Sequence, residues 1–275
     1  MLPSVILFRN SLAMEGEQAI CAKHMPVFES RTSIPKHRTV IGRYSTLPYY
    51  EELQQDLQIN GCQLINSTRA YAWVADVMAW SLALEGLTPR SWDGWSGLPA
   101  TGSFVLKGRT NSRKHQWRTH MFAANRAEVP LVAARLMDDS LIREQGIIVR
   151  EYLPLRTLGV GINDLPITNE WRTFWLVVGG QPHLLSKGFY WQASHPELEA
   201  VAVWTAEAET LCHEAVQRIQ EEAPELRFFV LDVAQLRTGA WTIIEINDGQ
   251  MSGLCGCVPE ALYAKMAQIT MSDSS

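Results

Sequence analysis

The sequence predicts a mixed α/β and α+β protein in two parts, and three observations carry that expectation. Short apolar runs alternate with helical-period segments over the first 66 or so residues. A stretch rich in Gly, Pro and Ser, TPRSWDGWSGLPATG, then breaks the pattern. Beyond it lie two hairpin-like segments separated by a helix. A chain of 275 residues, 47% apolar and 19% charged, fits roughly two compact units at about 150 residues each and excludes disordered, collagenous and disulfide-scaffold classes.

The elements follow in order. SVILF (Ser4–Phe8) and TVIGR (Thr39–Arg43) read as short buried strands, with helix-like sequence from Leu12 to Lys23 between them. Leu47 to Asn60 carries Pro near its start and stops at Gly61, the expected punctuation of a helix. Cys62 to Ile65 makes a third strand. Tyr71, Val74, Val77, Met78 and Leu82 stand at helical spacing in a helix over 71–84. After the break come a strand at SFVLKG (Ser103–Gly108), a second near Met121, a helix from about Glu128 to Glu144 and a strand GIIVRE (Gly146–Glu151). EWRTFWLVVGGQPHLLSKGFYW is the first hairpin, a helix runs from about Pro196 to Glu222, and FFVLDVAQLRTGAWTIIEIND is the second hairpin.

With 24 Lys and Arg against 29 Asp and Glu, the net charge is −5, which argues against a coat for nucleic acid or an anionic membrane. Yet Lys107, Arg109, Arg113, Lys114, Arg118 and Arg126 form a cationic island free of acids. The five cysteines include no C-x-x-C pair, so free thiols in a reducing compartment are expected. The opening MLPSVILFRN lacks the basic and apolar regions of a signal peptide, and nowhere do about 18 apolar residues run together. The expectation is a cytoplasmic protein that does not engage a membrane.

Both hairpins place like charges together. A turn at Thr238-Gly239 pairs Arg237 with Ala240 and, at constant register, Asp232 with Glu245. Directly opposed Cβ atoms lie about 4.5–5.5 Å apart, so two carboxylates there need a neutralising partner. Asn247, two residues on, projects from the same face as Glu245. An oxygen-only set of this kind suits magnesium. A turn at Gly179-Gly180 pairs Val178 with Gln181 and predicts that Arg172 faces Lys187, two cations that call for an anion. Lys107 ends its apolar strand and leads into the polar loop GRTNSRKHQWR. Neither G-x-x-x-x-G-K-[ST] nor G-x-G-x-x-G occurs, so phosphate binding would fall to side chains on sheets.

The order of these features, a strand lysine, a strand ending VREYL, a hairpin with Arg and Lys, and D-x12-E-x-N on a final hairpin, resembles the ATP-grasp superfamily. It is most similar to the compact phage and bacterial branch predicted to form peptide-like bonds. The resemblance covers roughly Ser103 to Pro259, with Ser4 to Ile65 resembling the α/β domain that precedes the fold. It implies an N-terminal domain over 1–98 and an ATP-grasp domain over 99–275, divided into subdomain A (99–155) and subdomain B (156–275), with nucleotide between them. The implied activity is ATP-dependent ligation of a carboxylate to an amine through an acyl phosphate, on small-molecule, peptide or protein substrates, with ATP and two magnesium ions as cofactors. Nucleic acid is not implied as a partner, and a dimer is left open.

By position, Lys107 resembles the lysine that contacts ATP phosphates. Arg150, Glu151, Tyr152 and Leu153 resemble the hinge that reads adenine through its backbone. Arg172 and Lys187 resemble the sheet cations that hold phosphate and the acyl phosphate, and Asp232, Glu245 and Asn247 the magnesium ligands. The loop after Lys107 lacks the glycines common in the superfamily, and Asn247 is followed by DGQMSG. Arg109 to His120 is the candidate lid over a hydrolysable intermediate. His115 and His120 read as exposed loop residues, Cys255 and Cys257 as packing residues, and the ten tryptophans mainly as core, with Trp92, Trp95 and Trp191 the candidates for an aromatic cleft. A phosphotransferase and a nucleotide-dependent binding module are the competing functions.

Overall fold

The computed structural model describes residues 3–9 and 15–272. Its first part is a parallel sheet of β1 (Ser4–Phe8), β2 (Val27–Phe28), β3 (Thr39–Arg43) and β4 (Gln63–Leu64), in the order β2-β1-β3-β4. Continuous apolar runs form it because both its faces are covered. Val5, Leu7 and Val40 pack with helix α2 (Tyr50–Ile59), while Ile6, Phe8 and Ile41 face the rest of the molecule. Helix α1 spans Glu15–Cys21; the start expected at Leu12 lies outside the described residues. Gly61, at φ +66°, ends the α2 segment in the left-handed region that glycine favours.

The helix expected over 71–84 is two helices, α3 (Thr68–Ala75) and α4 (Val77–Ala83). Asp76 breaks them apart, because its carboxylate caps the Met78 N–H at 2.9 Å and also binds Arg109. Next, β5 (Ser91–Asp93), β6 (Phe104–Gly108), β7 (Phe122–Ala123) and β8 (Ile147–Glu151) make an antiparallel sheet in the order β5-β8-β6-β7. Ser91 of β5 pairs with Arg150, so this sheet begins before the boundary expected at residue 98. The Glu128–Glu144 helix is likewise two, α5 (Val129–Leu136) and α6 (Ser140–Gln145), with Asp139 capping the second.

A two-stranded ribbon, β9 (Thr157–Val160) with β10 (Pro166–Thr168), leads into the largest sheet. There β11 (Glu170–Val178), β12 (Gln181–Phe189), β13 (Phe228–Gln235) and β14 (Trp241–Asp248) run antiparallel in the order β12-β11-β13-β14. Alternation along β11 sorts its side chains. Trp175 and Val177 pack on α7 (Ala206–Glu222), whereas Phe174, Leu176 and Val178 pack on α8 (Pro259–Ser272) and the first sheet. Each fully buried Phe or Leu contributes roughly 1.5–3 kcal/mol, so the sheet is anchored on both faces. Residues Pro196–Val201, expected as the start of α7, form a separate 3₁₀ turn. Among the described residues, no helix is long and apolar enough to cross a membrane.

Candidate functional site

Alternation also aims the charged residues. On β6 and β8, Phe104, Leu106, Ile147 and Val149 pack toward α5, which leaves Val105, Lys107, Ile148 and Arg150 on the opposite face. That face looks onto β14. Lys107, almost fully buried, forms an ion pair with Glu245. Arg150 is also buried, and its guanidinium donates to the Ile244 carbonyl at 2.6 Å and Thr88 Oγ1 at 2.8 Å while lying 5.2 Å from the centre of the Trp80 ring. It ties the second sheet to the third.

Across the third sheet, Gly188, Arg172, Asp232 and Glu245 stand in one register row. Arg172 and Asp232 are joined by two parallel bonds, Nε to Oδ1 at 2.8 Å and Nη2 to Oδ2 at 2.7 Å, and Arg172 Nη1 donates to the Gly253 carbonyl at 2.8 Å. With Lys107 closing the row, the charges read plus, minus, minus, plus. Burial acts to raise the Glu245 pKa, but the charges of Lys107 and Lys114 hold its carboxyl well below the usual range. Burial acts to lower the Arg172 pKa, and Asp232 overrides that to raise it.

The facing of Asp232 and Glu245 is as expected, though by a different route. Leu236 N–H donates to the Ala240 carbonyl at 2.7 Å across a longer turn, which shifts the register by one; a bulge at Ile244 shifts it back. Asn247, opposite Val230, lies on the same face. These donors are all oxygens, as a hard divalent cation prefers. Among the described residues, no cluster of three or more His, Cys, Asp or Glu forms, so the amide is needed to complete a set of three.

The expectation for Lys187 fails. The hairpin turn is as expected, with Val178 opposite Gln181, but a bulge at Leu185 moves the register so that Lys187 faces Thr173 and Gly188 faces Arg172. Lys187 therefore projects from the α7 face, with its ammonium 4.6 Å from the centre of the Trp204 ring. Packing requires the exchange. A Cβ on Gly188 would run into the backbone carbonyl of Gly256, so no larger residue fits opposite Arg172.

Two clefts meet at Lys107 and Glu245. The first is lined by Glu151, Tyr152 and Leu153, with Val105, Met121 and Ile244 supplying apolar walls. The backbone N–H of Leu153 has no partner among the described residues. The Glu151 side chain points elsewhere, to Arg90. The second cleft, about 430 Å³, lies between the first part of the chain and the charge row, and includes Arg172, Asn247 and Gly253.

Two residues of the first cleft, Lys114 and Glu170, were not among the expected site residues, although the sequence already places Glu170 on the face of Arg172 as a candidate neutralising partner. Lys114 reaches in from the loop after Lys107, donates to the Tyr190 hydroxyl at 2.9 Å and lies over the Tyr190 ring at 4.4 Å. Glu170 is buried on the face of Arg172, and one of its oxygens has no partner. Burial pushes its carboxyl up to about 7, against the pull of Lys114. Trp191 also lines this cleft, whereas Trp92 packs on the second-sheet core. The candidate lid is folded down, with Asn163 Nδ2 donating to the His115 carbonyl at 2.7 Å. Burial raises the Cys255 and Cys257 thiols, the latter to about 12, which fits packing residues.

Two α+β sheets facing each other across a charged row and an apolar hinge cleft define the ATP-grasp class. The chain belongs to the family described as ATP-grasp domain, R-two-K clade family 3, which matches residues 93–266. A search of curated protein sequences returned no match. Among solved structures, the D-cycloserine synthetase DcsG is similar at TM-score 0.62 and 12% identity, covering 98% of this chain and 99% of that one. The D-alanine–D-alanine ligase of Bacillus anthracis complexed with ATP matches at 0.57 and 10%, covering 99% and 96%. The ATP-grasp ligase PsnB, complexed with a phosphomimetic precursor variant, Mg and ADP, matches at 0.55 and 13%, covering 100% and 99%.

Proposed function

We propose that this protein is an ADP-forming ligase that joins a carboxylate to an amine. The observation that carries the reading is the row Arg172, Asp232, Glu245, Lys107 at the junction of two clefts. Adenine takes the apolar cleft, against the unpaired Leu153 N–H and Ile244, and the phosphates lie along the row. Magnesium, held by Asp232, Glu245 and Asn247, would shield the phosphate charge. Those carboxylates are ion-paired in the structure, so a metal and a polyanion arriving together give each of the four charges a new opposite partner.

The acid enters from the second cleft. Its carboxylate oxygen attacks the γ-phosphorus, the bond to the bridging oxygen of the β-phosphate breaks, and ADP leaves with that electron pair. Lys107 and Arg172 stabilise the charge on the transferring group. The amine nitrogen then attacks the acyl carbon, phosphate departs with the carbon–oxygen pair, and the nitrogen loses a proton. Lys114, carried on the folded-down loop, helps exclude water from the acyl phosphate.

Support comes from the family match and from the solved ligases that share the fold. The expected result is ADP release that requires both an acid and an amine and falls at least about 100-fold in Lys107→Met or Glu245→Gln. ADP release with a stable phosphorylated product and no amide would assign a phosphotransferase instead.

A further inference from the structure

We infer that Arg43, a residue of the first sheet, is a positioning residue for the phosphate row: it fixes the loop that aims Arg172. This rests on the ligase reading above, in which Arg172 meets phosphate, and extends it to a sheet none of whose residues stands in the row. Two neighbouring carbonyls of one loop carry it. The Ser252 carbonyl accepts from Arg43 Nη1 at 2.9 Å, and the next one along, that of Gly253, accepts from Arg172 Nη1 at 2.8 Å. The loop thus joins guanidiniums that come from different parts of the chain.

Arg43 ends β3 and is 1% exposed. Its Nε and Nη2 donate to Glu17 Oε1 at 2.9 and 2.7 Å, and Nε also reaches the Tyr263 hydroxyl at 3.2 Å. Nη1 gathers the carbonyls of Gly249, Gln250 and Ser252. Among the described residues, no backbone N–H donates to any of these three oxygens. A buried pair with one carboxylate adds little net stability, because desolvation offsets much of the Coulomb gain. What a guanidinium does that an apolar side chain of similar volume cannot is hold several acceptors at fixed angles. The loop's internal bonds, from the Met251 N–H and the Ser252 hydroxyl to the Asp248 carbonyl, close the turn and leave those three carbonyls to Arg43.

The consequence falls on Arg172. Asp232 takes its Nε and Nη2, which leaves Nη1 for Gly253. With Asp232 committed to a metal, as the ligase reading has it, the bond to Gly253 is what keeps the guanidinium aimed along the row. Arg43 also lies 5.7 Å from the centre of the Phe174 ring, and Phe174, two residues beyond Arg172, shares its face of β11.

The test is a double-mutant cycle on affinity for a non-hydrolysable ATP analogue with magnesium, measured by calorimetry in wild type, Arg172→Lys, Arg43→Met and the double variant. Arg172→Lys keeps a charge beside Asp232 but gives up the fork that reaches Gly253, and should weaken binding at least about fivefold. Arg43→Met should cost at least about threefold, yet the double variant should stay within about twofold of Arg172→Lys alone, because residues that act through one contact are not additive. Losses that multiply would mean a general effect on the fold and would overturn the inference. An unchanged affinity in either single variant would also overturn it and leave the ligase reading standing. Coupled arginines in a protein that forms no amide from any acid and amine would uphold the inference and defeat the ligase reading. Arg43→Lys, which keeps the charge beside Glu17 but cannot gather the three carbonyls, should show the same pattern and serves if Arg43→Met does not fold. If neither variant unfolds cooperatively, Arg43 serves stability alone and the inference fails.

Discussion

The β11–β12 and β13–β14 hairpins use one device, a single extra residue, to opposite effect. In β11–β12 the turn is the tight Gly179-Gly180 pair, and the bulge at Leu185 turns Lys187 away from the charge row. In β13–β14 the turn is one residue longer than a tight hairpin requires, and the bulge at Ile244 restores the row, leaving Asp232 against Glu245. A turn thus fixes register only as far as the first bulge. What fixes it beyond is packing. Loop 253–257 lies so close to β12 that only glycine fits opposite Arg172, and that loop brings the Gly253 carbonyl to the Arg172 guanidinium.

The largest effect is expected from breaking the row at its centre. Asp232 is fully buried, and its partner Arg172 nearly so. Asp232→Ala leaves a buried guanidinium without its carboxylate and should cost about 3–5 kcal/mol in chemical denaturation. A loss under about 1 kcal/mol would mean that the pair is solvated. Gly188→Ala tests why Lys187 was displaced. The added methyl meets backbone, and a loss of about 1–3 kcal/mol is expected; an unchanged midpoint would show that loop 253–257 yields freely and that packing does not set the register.

A smaller, pH-dependent effect sharpens the electrostatics at the edge of the row. Lys114, Arg172, Asp232 and Glu245 all act on Glu170. Because burial lifts its carboxyl from the unfolded value of 4.5 to about 7, the folded state binds more protons than the unfolded between those values. Its contribution to stability is therefore greatest at low pH and is lost as pH rises through that window. Glu170→Gln should gain in melting temperature relative to wild type from pH 5 to pH 8. A gap that stays constant or narrows would show that Glu170 titrates normally.

Much of this was legible in the residues. The strand lysine, Arg150 and Glu151 of the expected hinge, and the opposed carboxylates lie on runs of five to eight residues, long enough for alternation to assign a face. The facing of Asp232 and Glu245 came out right because two offsets cancelled, a matter of geometry that no residue type announces. Lys187 came out wrong because Leu185, the bulged residue, looks like any other strand leucine. Helix α8 was not among the expected elements; its buried face mixes Leu262, Met266 and Ile269 with Tyr263, Ala267 and Thr270, which blurs the apolar stripe. Strand β5 has only three residues, too few to show a period. Lys114 sits in an island whose other members carry the same charge, and Glu170 is the only carboxylate of β11 but is flagged by no spacing motif, so only the fold brings them into the cleft.

The central claim is that the row from Arg172 to Lys107, without Lys187, is where the phosphates bind. Calorimetric titration of a non-hydrolysable ATP analogue with magnesium into wild type, Lys107→Met and Lys187→Met tests it most directly. The account predicts at least about a tenfold loss of affinity for Lys107→Met and a change of less than about twofold for Lys187→Met, whose cation–π contact is worth only about 0.5–1 kcal/mol to the fold. A tenfold loss in Lys187→Met with Lys107→Met unchanged would contradict it.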